Sequence, residues 1–254
     1  MTIDDVWLTN RAKELRASIL FFTRLPFAQT APVGGAAIAQ AAWAFPIAGV
    51  LVGLVGALVY ALAHRALPAW PAAALGVAAT MVLTGCLHED GLADTLDGFG
   101  GGKTAEQKLA IMRDSRIGAY GVCALVLSIL LRGSALASLA DSALVAAALI
   151  AAHSGARAAL PAFMFFMPPA RSDGLSFSAG CPPGESVAAA AVLGVLIVWF
   201  CLGLTAGFAA LVLLAVAVTL VGWLSLAQIH GQTGDVLGAV EQVGEIVILL
   251  VALH

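Results

Sequence analysis

The sequence predicts an all-α integral membrane protein, a polytopic helical bundle with about seven transmembrane helices. Of its 254 residues, 61% are apolar and only 11% are charged, a balance outside the range of ordinary soluble domains. The mean hydropathy is +0.99. Several apolar segments reach the roughly 20 residues that a helix needs to cross the hydrocarbon core. Alternating apolar and polar strands of roughly ten residues do not occur, so each span should be helical.

Seven segments are predicted to span the membrane, and their limits follow the apolar runs. They cover residues 43–63, 71–87, 119–140, 143–166, 187–205, 207–228 and 236–254. The second is short, the third contains Arg132, and the last contains Glu241 and Glu245, so six or eight spans are alternatives. Residues 1–254 are therefore expected to form a single transmembrane domain with an acidic loop at 88–118.

The basic residues predict how the bundle is oriented. Nine of the twelve lysines and arginines fall on one side of the seven spans. By the positive-inside rule, that side is the cytoplasm. The same topology places three polar loops, at 88–118, 167–186 and 229–235, together on the cytoplasmic face, where they can build one site.

The segment 88–121 carries six of the fifteen acidic residues of the chain. On a helix, Asp90, Asp94 and Asp97 follow one another at i, i+4 and i+7 and share a face. Because like charges at this spacing repel, a cation is expected among them. Carboxylate oxygens suit Mg²⁺, which also binds substrate phosphates. The spacing therefore predicts Mg²⁺ as cofactor and phosphoryl transfer as the chemistry, with a solvated acidic face as the alternative.

Residues that follow the acidic row are candidates for binding metal or phosphate. Asp114 could complete the metal shell, and Arg116 could bind a diphosphate. The segment GGGKT at 100–104 is not a P-loop, because Asp97 stands where that motif requires glycine. Lys103 could still contact a phosphate, although a solvated lysine is the alternative.

Two further polar groups lie in or beside apolar spans. Arg157 should point into the bundle, towards a substrate anion or a structural carboxylate, because a guanidinium facing lipid is unfavourable. Asp235 opens an apolar run, where it either caps a helix or belongs to the site. Glu241 and Glu245 share a helical face, which predicts a second metal-binding or alcohol-binding element.

Five motifs together resemble the cobalamin synthase family. They are HEDGLADTLDG at 88–98, IMRDSRIGAYG at 111–121, FTRLP at 22–26, FPIAGVLVG at 45–53 and TGDVLGA at 233–239. The resemblance implies a Mg²⁺-dependent, multi-pass enzyme of the bacterial inner membrane. It also implies the reaction, in which a ribose hydroxyl of α-ribazole or its 5′-phosphate displaces GMP from adenosylcobinamide-GDP.

The implied reaction, together with the chemistry of the residues above, gives roles to the candidate residues. A carboxylate of the cluster would accept the hydroxyl proton. The expected metal ligands are Glu89, Asp90, Asp94 and Asp97. The expected catalytic residues are Asp94, Asp97 and Asp114. The expected substrate-binding residues are Lys103, Arg116, Arg157, Asp235 and Glu245.

Three other classes of membrane protein are alternatives. The DxxDG at Asp94 to Gly98 is similar to part of the CDP-alcohol phosphotransferase motif, but the rest of that motif is missing. A prenyltransferase would be expected to carry a second aspartate-rich loop. A cation transporter would carry acids at mid-span, whereas most acids here lie in loops. No basic tail predicts a nucleic-acid partner, and a homo-oligomer in the lipid bilayer is compatible with the sequence.

Overall fold

A computed structural model of the chain describes residues 3–26 and 35–254. Within these ranges the secondary structure is helical, with a single parallel bridge between Pro169 and Gln232 and no named strand. A 3₁₀ turn at Ala41–Ala44 precedes α3. The helices are α1 (Ile3–Phe22), α2 (Gly35–Gln40), α3 (Phe45–Ala63), α4 (Ala69–Thr84), α5 (Leu87–Gly101), α6 (Ala105–Ile111), α7 (Ala119–Leu139), α8 (Ser142–Phe166), α9 (Gly174–Ala179), α10 (Gly184–Ile229) and α11 (Gly234–Val251).

Each predicted span coincides with one of these helices or with one arm of α10. That helix has 46 residues, about twice the number that a bilayer requires. It breaks at Gly203, where φ is 76°, a value that glycine adopts without strain. Beyond the break, Gly207 lies directly against the side chain of Trp199. The two arms therefore fold back on each other, as the separate predicted spans at 187–205 and 207–228 require.

Four described segments are long and apolar enough to cross a membrane, and α10 as a whole is one of them. The helices α4 and α5 form a fifth candidate only as a pair bent by 90°. The bend lies at Gly85 and Cys86, which both adopt left-handed backbone conformations. The predicted acidic loop therefore begins with a helix, α5, that leaves the axis of the span before it. These features confirm a polytopic membrane bundle of α-helices.

Small residues bring the central helices into close contact. A Cβ atom on Gly49 of α3 would collide with the carbonyl oxygen of His153 in α8. A Cβ atom on Gly91 of α5 would lie 2.7 Å from the carbonyl oxygen of Asp235, and Gly238 of α11 faces Gly91 in return. Because glycine has no side chain, helix backbones can approach closely at such positions. The acidic helix α5 is thereby held directly against α11.

Candidate active site

The acidic row on α5 opens into a cavity of about 460 Å³, which we call the acidic cavity. Asp90, Asp94 and Asp114 line it, together with Arg113. In the described part of the chain, neither the Asp90 nor the Asp94 carboxylate accepts a hydrogen bond or forms an ion pair. Two carboxylates on one face of α5 therefore have no protein partner in the described ranges. The prediction that this segment is helical is confirmed.

Glu89 forms the inner wall of the same cavity and is buried. Its Oε1 lies 3.1 Å from Nη1 of Arg132. Its Oε2 is buried without a hydrogen-bond partner. Glu89 thus connects the acidic cavity to the interior of the bundle, and one of its oxygens has no hydrogen-bond partner there.

Asp97 is the member of the row whose oxygens already have partners. Its Oδ2 accepts a hydrogen bond from the backbone N–H of Gly118 at 2.6 Å, and its Oδ1 accepts one from Gly121 at 2.9 Å. These groups belong to the N-terminus of α7, where backbone N–H groups lack helical partners. Asp97 therefore anchors α7 to α5, and these contacts give no support to its predicted role as a metal ligand.

The connection between α6 and α7 places Asp114 beside a guanidinium. Arg116 Nη2 lies 2.5 Å from Asp114 Oδ2, and this hydrogen bonding lowers the pKa of Asp114 to about 2. The Arg116 side chain is 88% exposed. Lys103 is exposed as well, and it contributes only a backbone hydrogen bond, to Gln107. Both predicted phosphate-binding residues therefore face solvent, and Arg116 lies next to residues that line the acidic cavity.

Two other polar loops meet beside this cavity, as the predicted topology requires. Backbone hydrogen bonds join Ala170 to Gln232 and Gln232 to Pro168. This pairing brings Arg171 Nη2 to 3.5 Å from Asp235 Oδ2. Asp235 accepts a hydrogen bond from Thr233, whose hydroxyl also caps α11. The predicted helix-capping role belongs to Thr233, and Asp235 is left facing a second cavity.

A buried ionic network in the bundle interior is the feature that the sequence did not reveal. Arg132 lies between two carboxylates, with Nη1 at 3.1 Å from Glu89 and 3.3 Å from Glu245. Gln242 donates a hydrogen bond to Glu241 at 3.1 Å and accepts one from Ser128 at 2.9 Å. The network therefore joins α5, α7 and α11.

Arg157 extends the network to α8. Its Nη1 lies 2.5 Å from Glu241 and 3.0 Å from the His153 carbonyl oxygen, and its Nη2 lies 3.3 Å from His88. The prediction that Arg157 faces the interior is confirmed, and its anion is a carboxylate of the protein. Only 1% of its side chain is exposed, so these contacts do not support a substrate-binding role. The same holds for the buried Glu245.

The contacts of the buried acids indicate what this interior can hold. His153, Glu241 and Glu245 place ligand atoms within 4.8 Å of one another, close enough to surround a metal ion. However, Arg157 already contacts Glu241, and Arg132 already contacts Glu245. The two guanidiniums already lie where a metal ion would have to bind. These contacts therefore favour ion pairing over metal binding at this trio. The acidic cavity, with its uncommitted carboxylates, is the better match for a divalent ion.

We predict that Arg132→Gln destabilises the protein by about 3 to 5 kcal/mol, because it leaves two buried carboxylates without a cation. Thermal unfolding of the purified protein in detergent measures the effect. Arg65→Gln is the matched control, since Arg65 lies exposed at the opposite end of the bundle. Equal melting temperatures for the two variants would contradict a structural role for the network.

A sequence model of the cobalamin-5-phosphate synthase family matches residues 14–253. The adenosylcobinamide-GDP ribazoletransferase of Bradyrhizobium diazoefficiens is 56% identical, over 96% of this chain and 95% of the relative. The protein of the same name from Mesorhizobium japonicum is 53% identical, over 92% and 90%. That from Azorhizobium caulinodans is 44% identical, over 93% and 94%.

No solved structure matches the chain. The alignments with the relatives cover nearly the full length of the chain. The family model covers every residue that lines the acidic cavity. The resemblance that the five motifs indicated is therefore confirmed, and the chain belongs to the cobalamin-5-phosphate synthase family.

Proposed function

We propose that this protein transfers the adenosylcobinamide phosphate group of adenosylcobinamide-GDP to a ribose hydroxyl of α-ribazole or its 5′-phosphate. The hydroxyl oxygen forms a bond to the phosphorus that carries adenosylcobinamide. The bond from that phosphorus to the oxygen of the GMP phosphate breaks, and GMP leaves. The names of the relatives support this reaction. The structural observation that carries it is the pair of uncommitted carboxylates, Asp90 and Asp94, in one cavity.

The acidic cavity fits Mg²⁺ by the chemistry of its donors. Asp90 and Asp94 have no protein partners in the described ranges, and Glu89 Oε2 is buried without a hydrogen bond. We assign these three residues as metal ligands. Asp114 lines the same cavity and could complete the metal shell. When bound there, Mg²⁺ would neutralise charge on the diphosphate and on the departing GMP. Asp97 would act on the site indirectly, by holding α7 against α5.

Two exposed cations of the segment 88–118 suit an anionic donor. Arg116 and Lys103 extend into solvent, where they would attract the diphosphate of adenosylcobinamide-GDP. Asp90 also lines the second cavity, and Asp235 faces that cavity as well. A carboxylate at this junction is placed to accept the proton of the attacking hydroxyl.

We expect Asp90→Asn and Asp94→Asn each to reduce GMP release by at least about a hundredfold, roughly 2.7 kcal/mol of transition-state stabilisation. Each variant keeps the size of the side chain but removes an anionic ligand. The assay follows GMP from adenosylcobinamide-GDP with and without α-ribazole, over a range of Mg²⁺ concentrations. Near-normal turnover by Asp94→Asn would rule out the assignment.

Glu106→Gln is the matched control for these variants. Glu106 belongs to the same acidic segment, but it is exposed on α6 and does not line the acidic cavity. The control should retain normal turnover. GMP release that depends on α-ribazole also separates this function from prenyl transfer and from cation transport.

We further propose that the site faces the cytoplasm from the bacterial inner membrane, because nine of the twelve basic residues lie on its side of the predicted spans. Thr104 and Ser172 are exposed near the site, whereas Arg65 is exposed at the other end of the bundle.

Single cysteines at these three positions, in a background without the four native cysteines, report the orientation. Those at positions 104 and 172 should react only with reagents that reach the cytoplasm. The cysteine at position 65 should react with an impermeant reagent that reaches only the periplasmic face of the inner membrane. Labelling of positions 104 and 172 from opposite sides would contradict the proposed topology.

A further inference from the structure

A second cavity, of about 320 Å³, lies behind Asp90, and we call it the aromatic cavity. Its inner end is mainly apolar, is formed by α1, α2, α3 and α8, and includes one polar ring, that of His88 beside Phe22. The rings of Phe21 and Phe45 are nearly parallel, with an interplanar angle of 16° and centroids 6.3 Å apart. Phe22 meets Phe45 edge to face at 4.8 Å. Ile38 and Leu160 complete this wall.

The outer end of the aromatic cavity is polar. Asp90, Asp235 and Arg171 line it, together with Ser176. Arg171 is held loosely, with Nε at 3.4 Å from Asp173 and Nη2 at 3.5 Å from Asp235. Its Nη1 is buried and has no hydrogen-bond partner. The polar end therefore offers two carboxylates as acceptors and one unsatisfied guanidinium donor.

We propose that the aromatic cavity binds the acceptor nucleoside, an inference that rests on the proposed function. An apolar bicyclic base fits among the phenylalanine rings, which favour stacked and edge-to-face contacts. The ribose then reaches the polar end, where Asp235 and Asp90 accept hydrogen bonds from its hydroxyls, as carboxylates do in other nucleotide sites. Arg171, which lines the same end, supplies a guanidinium for the remaining acceptor oxygens of the ribose or of a 5′-phosphate.

The size and position of the cavity favour this occupant. Its volume is near the lower limit for small-molecule pockets, about 300 Å³, and is too small to enclose a corrin ring. A lipid chain would contact the phenylalanines but would leave Asp90, Asp235 and Arg171 unmatched. Asp90 lines both cavities. A nucleoside in the aromatic cavity would thus present its hydroxyl to the acidic cavity, where we place the diphosphate of the donor.

Filling the cavity tests the proposal. Ala179 is buried and lines the aromatic cavity, so Ala179→Leu should exclude part of the base. We expect the KM for α-ribazole to rise by about tenfold or more, and the KM for adenosylcobinamide-GDP to change by less than about twofold. Ala209→Leu is the matched control, because Ala209 is exposed on α10 and lines neither cavity.

Direct binding supplies a readout that does not depend on turnover. Calorimetric titration of α-ribazole into the detergent-purified protein, without donor, should show binding that Ala179→Leu weakens by about tenfold. Phe21→Leu keeps the wall apolar but removes a ring, and it should weaken binding even if Ala179→Leu does not fold. The same titration with α-ribazole 5′-phosphate on Arg171→Gln tests the guanidinium contact.

The outcomes separate the two proposals. Wild-type affinity for α-ribazole in both Ala179→Leu and Phe21→Leu would overturn the assignment of the cavity, even if the protein releases GMP. An equal rise in the KM values of both substrates would overturn it as well. Binding that these variants weaken, in a protein that releases no GMP, would support the cavity and reject the proposed reaction.

Discussion

The ion pair between Arg132 of α7 and Glu89 of α5 is the contact on which the arrangement of the site depends. Glu89 and Asp90 are neighbours on α5, yet Glu89 is buried and Asp90 is exposed. Successive residues on a helix point about 100° apart. Fixing Glu89 against Arg132 therefore sets the rotation of α5 and turns Asp90 and Asp94 towards the acidic cavity. The close approach of Gly91 and Gly238 holds this rotation against α11.

The charges of the protein fall into two groups with different tasks. Those in the interior are paired, because an unpaired charge within a membrane bundle costs several kcal/mol. Among the acids that line the acidic cavity, Asp90 and Asp94 have no partners in the described ranges, which leaves their oxygens available. Glu89 belongs to both groups, since one oxygen meets Arg132 and the other has no hydrogen-bond partner. The buried network thus holds in place the helix that carries the site, and Glu89 is the residue through which the two are connected.

Helix spacing predicted much of this arrangement, but not the contacts between helices. The i, i+4, i+7 row correctly placed Asp90 and Asp94 on one face of a helix, and apolar length correctly predicted a polytopic helical bundle. Sequence spacing could not show that Asp97, on the same face, lies beneath the N-terminus of α7. Nor could it show that Arg157 meets Glu241, because the register between α8 and α11 is set by packing of residues far apart in the chain. Likewise, Gly85 and Cys86 adopt left-handed backbone conformations and bend the chain there. Hydropathy alone could not show this bend, because the apolar run that predicts the span continues to residue 87.

The most direct test of the division between a structural interior network and a metal-binding acidic cavity is to locate a bound metal. Mn²⁺, used in place of Mg²⁺, can be located by anomalous diffraction from crystals of the full-length protein. The proposed site predicts one peak in the acidic cavity, within bonding distance of carboxylate oxygens of Asp90 and Asp94, with Arg132 still bound to Glu89. A peak among His153, Glu241 and Glu245 instead would contradict it, because the interior group would then be the metal centre.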